Sequence, residues 1–197
     1  MTRPSAVIRD AVASDALALQ SIWLDFAKNG RSGDRLSRET FETDPERQMV
    51  EQIERSILRL ETDPAERLLV ALVDGRAVGV AHLRRAPLSP IHPDDAVHVG
   101  YLHVLTDYRR RGVGRQLLES AADWADEKDT QHIVASVAAR NRDANRFLAR
   151  LGLGQVAVVR ASKVVSLRAK LAAPGRAAET HLLATRRLNR RVRQPVD

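Results

Sequence analysis

The 197-residue sequence contains no cysteine and few aromatic side chains. Without cysteine the chain can form neither a disulfide nor a thiolate metal site, and it has no thiol nucleophile. Aromatic residues make up only 4% of the chain, so a core must be built mainly from Leu, Val, Ile and Ala. The first ten residues lack the apolar region of a secretory signal, and no segment is apolar for long enough to span a bilayer. We therefore expect a cytoplasmic protein that contacts no membrane and holds no metal.

Basic residues are concentrated towards the C-terminus. The net charge of the chain is +7. From Arg160 onward, ten Lys or Arg residues stand against two acidic residues, a net charge of +8, which leaves residues 1–159 at −1. The basic character is therefore a property of the tail. The tail has no aromatic residue to stack on bases, so contact with nucleic acid is a weaker interpretation than a solvated helix or a homodimer contact.

Hydrophobic periodicity predicts a single α/β domain with a mixed sheet and helices on both faces. An Asp74-Gly75 turn predicts a hairpin, and three prolines between residues 87 and 95 predict a loop. Trp23 and Trp124 are at apolar helical spacing and are predicted to be core residues. The predicted strands are 6–9, 68–73, 77–83, 97–105, 133–137, 156–159 and 164–167; the predicted helices begin at Ser14 and Pro45 and span 112–127 and 142–151.

The turn between strand 97–105 and helix 112–127 has features of an anion-binding site. Gly112 and Gly114 lack Cβ atoms, which permits positive φ and lets a ligand approach the backbone. Free N–H groups of the first helical turn point to the same place, with the positive end of the helix dipole behind them. A pyrophosphate suits such a site, and nearby arginines add positive charge. By pattern alone, a solvated turn before a helix is the alternative.

Competing motifs are excluded by single positions. The dinucleotide fingerprint needs a third glycine where Leu117 stands, and the P-loop sequence Gly-Lys-Ser/Thr is absent. There is also no HExxH, no calcium loop and no nucleophile elbow.

Two segments resemble motifs A and B of the GNAT N-acetyltransferase superfamily. The first is a strand followed by Gln/Arg-x-x-Gly-x-Gly/Ala and a helix. The second is Asn-x-x-Ala-x-x-x-Tyr-x-x-x-Gly-Phe, further along the chain. The matching residues are Arg109, Gly112 and Gly114 in motif A and Asn141, Ala144 and Gly152 in motif B.

This resemblance implies the GNAT fold, an α/β structure with a mixed, mostly antiparallel, twisted sheet of about six to seven strands. Residues 1–171 would form the acetyltransferase domain, and residues 172–197 a basic C-terminal extension. Acetyl-CoA would be the co-substrate, in a V between strands 97–105 and 133–137. An acceptor amine would then attack the thioester carbonyl directly. The implied cofactor-binding residues are Leu102, His103, Val104, Arg109, Arg110, Arg111, Gly112, Val113, Gly114, Arg115 and Asn141.

His98 is the candidate general base. In several family members a carboxylate on this strand takes the amine proton, and the matching position, fourteen residues before Gly112, is His98. Histidine can accept a proton near neutral pH. A surface or hydrogen-bonded strand histidine is the alternative, and His82, Asp95 and His103 are weaker candidates for the base.

Two residues of motif B leave alternatives open. Leu148 stands where the family usually has a Tyr that protonates or hydrogen-bonds the leaving sulfur, and leucine can do neither. Either water protonates the thiolate, or activity is weak, or the domain only binds CoA. Asn141 either hydrogen-bonds the cofactor or caps the helix that begins at Arg142.

The resemblance therefore predicts an N-acetyltransferase that transfers an acetyl group to a primary amine. The first helices and the loop 29–46 would shape the acceptor site, and the acceptor is not identified. The alternative function is a catalytically weak or inactive CoA-binding module, which acts as a sensor or as an accessory that binds nucleic acid or protein through its basic tail.

Overall fold

The computed structural model describes residues 6–29, 46–89, 91, 94–138, 141–158, 160 and 162–172. Most of the predicted loop 29–46 and most of the arginine-rich tail lie outside these residues. The chain divides into two compact units, Met1–Gln155 and Val156–Asp197. The predicted division between a domain 1–171 and an extension 172–197 stays a prediction.

The elements of the first unit follow the predicted order. Its strands are β1 (Val7–Asp10), β2 (Glu66–Val73), β3 (Arg76–Pro87), β4 (Asp95–Val104) and β5 (His132–Ala135). Its α-helices are α1 (Ala16–Asn29), α2 (Glu46–Glu61), α3 (Val113–Glu127) and α4 (Arg142–Arg150). Short 3-10 turns precede α1, at Ala13–Asp15, and follow β4, at Thr106–Tyr108.

The five strands form one sheet in the order β1-β2-β3-β4-β5. Every neighbouring pair is antiparallel except β4 and β5, which are parallel. The predicted hairpin joins β2 to β3, and Asp74 and Gly75 both have positive φ, as a tight hairpin turn of this kind requires. The predicted mixed, mostly antiparallel sheet flanked by helices is therefore confirmed.

Alternate residues of the sheet pack into two separate clusters. Leu83, Val97 and Val99 pack with residues of α3, among them Leu117 and the buried Trp124. On the other face, Val70 and Val80 pack with residues of α1 and α2, including Leu19, Ile22 and Ile57. Because strand side chains alternate, a residue of β4 next to Val97 or Val99 belongs to the second face. Trp23 is only half-buried, so its prediction as a core residue was wrong.

The last two predicted strands are absent from the described residues. Residues 156–158 are not in a strand, and Val164–Leu167 lies within an exposed helix, α5 (Val164–Ala172), of the second unit. Valine favours strands mainly because it packs well on a half-buried pleated surface, and these valines are exposed. Residues 167–172, Leu-Arg-Ala-Lys-Leu-Ala, are strong helix formers. The described sheet thus has five strands instead of six or seven.

Helix α3 packs closely against the sheet at Gly79 of β3. A Cβ added there would lie 3.2 Å from the backbone oxygen of His103 and 3.2 Å from Val113 Cγ1. The first of these neighbours is backbone, so it cannot move aside by changing rotamer. Gly79 therefore lets the N-terminal end of α3 lie directly on the sheet.

We expect Gly79→Ala to lower the free energy of unfolding by roughly 1–3 kcal/mol, because the added methyl group overpacks this contact. Urea denaturation measures the change. Gly154→Ala is the matched control, since a Cβ at Gly154 would meet no atom within 4 Å. Equal stability of the two variants would contradict the close approach described here.

Candidate functional site

Strands β4 and β5 separate after a short stretch of pairing. Their register runs only from Ala96 opposite His132 to Val99 opposite Ala135. The next hydrogen bond is donated by the Ser136 N–H to the Val99 carbonyl over 3.0 Å, after which no described bond joins them. β4 continues to residue 104, paired with β3 on its other edge. A wedge therefore opens beside residues 100–104 of β4.

A β-bulge marks the point at which β4 leaves β5. Tyr101 and Leu102 together oppose the single residue Ala81 of β3, and Tyr101 has a φ of 47°. An extra residue on one strand bends that strand and increases its local twist. The bulge thus accounts for the divergence of the two parallel strands.

The turn after β4 presents a row of free backbone donors. Gly112 is the N-cap of α3, with a φ of 90° and no side-chain cap, a conformation that favours glycine. The first N–H groups bonded within the helix are those of Arg115 and Gln116, both to the Gly112 carbonyl. The N–H groups of residues 110–114 make no hydrogen bond to any described residue. They lie at the positive end of the helix dipole, so they suit an anionic ligand.

Arg109 points back towards the sheet. Its Nε donates a hydrogen bond to the Val104 carbonyl over 3.0 Å, and its Nη2 lies 3.9 Å from Asp25 Oδ2. The Val104 carbonyl belongs to the wedge edge of β4, and the resemblance implies that Val104 contacts acetyl-CoA. In this structure the arginine therefore occupies one of the backbone groups proposed for the ligand.

The other arginines of the turn differ in their contacts. The Arg111 guanidinium lies 5.0 Å from the centroid of the Tyr108 ring, and Arg115 Nε is 2.9 Å from Glu119 Oε1. Arg110 is exposed, has a φ of 61° and makes no described side-chain contact. Both paired arginines are exposed, so these contacts are weak and can be exchanged for a ligand.

An open cavity of about 330 Å³ lies at the vertex of the wedge. Val99 and Ser136, which form the last bond between β4 and β5, both line it. The side chains of His98, His82 and Arg84 also line it, as does Gly100. His98 alternates with Val97 and Val99, so it lies on the sheet face opposite α3.

Two imidazoles line this cavity, and they differ in their hydrogen bonding. His98 is half-buried, and its buried Nε2 has no hydrogen-bond partner in the described part of the chain. His82 Nε2 lies 3.2 Å from Glu66 Oε2, and His82 Nδ1 would be 3.7 Å from a Cβ at Gly100. The Glu66 carboxylate therefore orients the His82 ring, with Nδ1 beside the open space at Gly100.

The pair of Glu66 and His82 was not recognised from the sequence. The β2–β3 hairpin brings them together, because Leu68 is the cross-strand partner of His82 and Glu66 that of Arg84. The Asp74-Gly75 turn was a usable signal for this register. A bulge between Ala71 and Leu72 shifts the register by one residue, and the sequence did not indicate it.

His103 and Asp95 are less suited to act as the base. His103 is 9% exposed, and its Nε2 lies 2.9 Å from Asp25 Oδ2. Burial lowers the pKa of His103, the nearby Arg109 lowers it further, and the hydrogen bond to Asp25 opposes the shift. Asp95 Oδ2 is 3.0 Å from Arg85 Nε.

Aromatic side chains of α1 stand next to the bulge. The Trp23 and Tyr101 rings are 4.7 Å apart between centroids, and Phe26 lies 6.2 Å from Tyr101 and 5.3 Å from His103. Tyr101 is 47% exposed. Neither contact was predicted from the sequence, because the positive φ that turns the Tyr101 side chain towards α1 has no sequence signature.

A sequence model described as the acetyltransferase (GNAT) family matches residues 32–153, more than half of the chain. The chain belongs to the GNAT acetyltransferase family. Among curated protein sequences, none matches it significantly.

Solved structures with the same fold cover most of this GNAT chain. A transcriptional regulator from Bacillus halodurans C-125 is 19% identical, with a TM-score of 0.64 over 80% of this chain and 99% of that one. A ribosomal-protein-alanine N-acetyltransferase from Brucella melitensis biovar Abortus 2308 is 19% identical, with a TM-score of 0.58 over 81% and 99%. The aminoglycoside N-acetyltransferase AAC(6')-Iy, solved with CoA, is 15% identical, with a TM-score of 0.59 over 83% and 98%. At these identities the likeness establishes the fold alone.

The two open positions of GNAT motif B have different outcomes. Asn141 caps α4, since its Oδ1 accepts a hydrogen bond from the Ala144 N–H over 3.1 Å. The capping interpretation is therefore confirmed, and the cofactor contact stays a prediction. Leu148 is 5% exposed and packs in the cluster beneath α3.

The described residues include neither a candidate metal site nor a candidate membrane span. Among the described residues, no group of three or more His, Cys, Asp or Glu could hold a metal ion. No described helix combines the length and the apolar character needed to cross a membrane.

His103 should make the stability of this GNAT domain depend on pH. Its pKa is lower in the folded state than in the unfolded state. As the pH falls, the unfolded chain therefore binds a proton at this residue before the folded chain does. The stability is therefore fully present above about pH 6.5, the ordinary histidine pKa, and declines as the pH falls below it. We expect His103→Gln to show a smaller loss of melting temperature than the parent on acidification from about pH 7.5 to about pH 5.5.

The control for this measurement is His132→Gln, because His132 is exposed at the start of β5. That variant should keep the pH dependence of the parent. If His103→Gln and the parent lose stability equally on acidification, the buried neutral state of His103 is wrong.

Proposed function

We propose that this GNAT protein transfers the acetyl group of acetyl-CoA to a primary amine. One observation carries the proposal: the wedge between β4 and β5 and the cavity on the opposite sheet face meet at Val99 and Ser136. A thioester held in the wedge and an amine held in the cavity would therefore lie next to each other at these two residues and could react there. Holding two reactants in this way supplies much of the rate of a bimolecular reaction.

The cofactor would be held mainly by backbone groups. The free N–H groups of residues 110–114 would donate to its pyrophosphate, with Arg115 and Asn141 beside them. The backbone of residues 102–104 would pair with the pantetheine arm as an added strand does. The Val104 carbonyl can accept a second hydrogen bond beside that of Arg109. If Arg109 releases the carbonyl, the freed guanidinium can reach the phosphates. Acetyl-CoA supplies the activated acyl group as a thioester.

Proton transfer would fall to an imidazole of the cavity. The neutral amine attacks the carbonyl carbon, the C–S bond breaks, and the amine proton passes to His98 directly or through water. His82 is the second candidate, because Glu66 orients it and its Nδ1 borders Gly100. Leu148 is buried and apolar, so the thiolate would take its proton from water.

The position of Leu148 also supports a second function. A GNAT domain with no acid at this position would bind CoA tightly and turn over slowly, as a CoA-responsive module.

The names of the similar structures do not decide the acceptor, since ribosomal-protein alanine and aminoglycosides are chemically different amines. Thiol release from acetyl-CoA, measured over a panel of amines, separates transferase from binding module.

Acetyl-CoA should raise the melting temperature of the protein, because a ligand that binds only the native state stabilises it by mass action. Gly114→Asp should weaken this binding by at least about tenfold, since the carboxylate repels the pyrophosphate from the same donors. The fold should survive, because an acidic residue near a helix N-terminus is favourable. Calorimetry measures the affinity.

Gly114→Ala is the matched control. A Cβ at Gly114 would lie 3.6 Å from Phe147 and 3.8 Å from Val104, an ordinary van der Waals contact. This variant should bind acetyl-CoA almost as the parent does. If the Asp variant also binds normally, the anion site lies elsewhere; if the parent does not bind at millimolar concentration, the proposed function fails.

His98→Ala should lower turnover by roughly 10²–10⁴-fold and leave acetyl-CoA affinity nearly unchanged, the usual effect of losing a general base. His82→Ala, tested in parallel, distinguishes the two rings: the variant with the larger loss of turnover at unchanged acetyl-CoA affinity identifies the base. Normal turnover in His98→Ala would remove His98 from the mechanism.

A further inference from the structure

We propose that the cavity selects amines that also carry a carboxylate or phosphate group, and that Arg84 binds this anionic group. The proposal rests on the proposed function in one respect, which is that the cavity is taken as the acceptor site. It adds the class of acceptor, which the family and the similar structures leave open.

Arg84 is not paired with the acidic residue that lies opposite it on β2. Glu66 is its direct cross-strand partner on β2, and opposite charges in that position normally pair. The Glu66 carboxylate instead lies 3.2 Å from His82 Nε2 and 3.5 Å from Arg59 Nη2. Arg84 is exposed and makes no hydrogen bond or ion pair with any described residue. A guanidinium without a partner among the described residues therefore remains at the edge of the cavity.

No carboxylate among the described lining residues offsets this charge. The other titratable groups of the lining are the imidazoles of His82 and His98, which are neutral or cationic. The nearest acid along β4, Asp95, has a carboxylate that is paired with Arg85. Asp95 also alternates with Ala96 and His98, so it lies on the other face of the sheet. The described cavity is thus neutral to positive and contains no carboxylate to bind a second ammonium.

The spacing suits one small molecule that carries both groups. Arg84 is the cross-strand partner of His98 and lies two residues from His82 along β3, about 7 Å in an extended strand. An amine beside Gly100 and the imidazoles can therefore have its anionic group within reach of the Arg84 side chain. Guanidinium binds carboxylate and phosphate through two parallel hydrogen bonds, which adds both energy and orientation. A polyamine would place a second cation against Arg84 and should be a poor acceptor.

Matched acceptors test the proposal. We would compare 4-aminobutanoate with butylamine, glucosamine 6-phosphate with glucosamine, and spermidine as a polycation, and measure kcat/KM by thiol release. The anionic member of each pair should be preferred by roughly 10- to 100-fold, the effect of one charged hydrogen-bonded pair. Arg84→Glu should abolish this preference by raising KM for the anionic acceptor, without changing KM for acetyl-CoA.

Arg76→Glu is the control for the change in net charge. Arg76 is exposed at the opposite end of β3 and has no described ion pair, so its reversal changes the protein charge by the same amount. This variant should keep the acceptor preference of the parent. If it loses the preference equally, long-range charge and not Arg84 selects the acceptor, and the proposal is wrong.

Binding measured without turnover separates this proposal from the proposed function. Titration with 4-aminobutanoate should shift the NMR signals of the Gly100 amide and of the His82 and His98 rings, butylamine should shift them much less, and Arg84→Glu should remove the difference. Selective binding without thiol release from any acceptor would sustain this inference and refute the transfer reaction. Equal binding of the anionic and neutral amines, or of spermidine, would overturn the inference whatever the turnover.

Discussion

The arrangement of the site depends on where the hydrogen bonds between β4 and β5 end. Up to Val99 and Ser136 the two strands are ordinary parallel neighbours. Beyond that point the bulge at Tyr101 turns β4 away, and no strand among the described residues pairs with the backbone of its second half on that edge. A backbone edge in this condition can accept an extended ligand as a further strand. If β4 and β5 stayed paired for a few more residues, the wedge would be closed. The cavity would then no longer meet an open strand edge.

Alternate side chains of the same sheet face the hydrophobic core and the cavity, so different residues of one strand serve stability and chemistry. Val97 and Val99 are fully buried under α3, whereas His98 and Gly100 face the cavity. Because neighbouring residues point to opposite faces, the cavity can change without repacking the α3 core. The cost is a strict register: a shift of one residue would put the His98 side chain in the core and the Val99 side chain in the cavity.

Local features of this chain were predictable, and features that depend on register were not. The Asp74-Gly75 hairpin, the α3 turn at Gly112 and the Asn141 cap follow from side-chain chemistry within a few residues. The bulges at Ala71/Leu72 and at Tyr101 have no such signature, so the approach of Glu66 to His82 could not be predicted. Val164 and Val165 misled the strand prediction because β propensity mostly reflects burial, which the sequence alone does not reveal. The return of Arg109 to the Val104 carbonyl likewise depends on the path of the turn.

The uncapped start of α3 also has a consequence for local dynamics. The helix begins at a left-handed glycine, and the preceding and first amides have no partner among the described residues. Opening this end of the helix therefore breaks few bonds, so its local unfolding free energy lies well below that of the buried strands. Its amide protons should exchange with solvent rapidly while the β3 and β4 amides remain protected. An anion bound to these N–H groups would slow their exchange towards that of the strand amides. The first turn of α3 would therefore be rigid only in the complex with the anion.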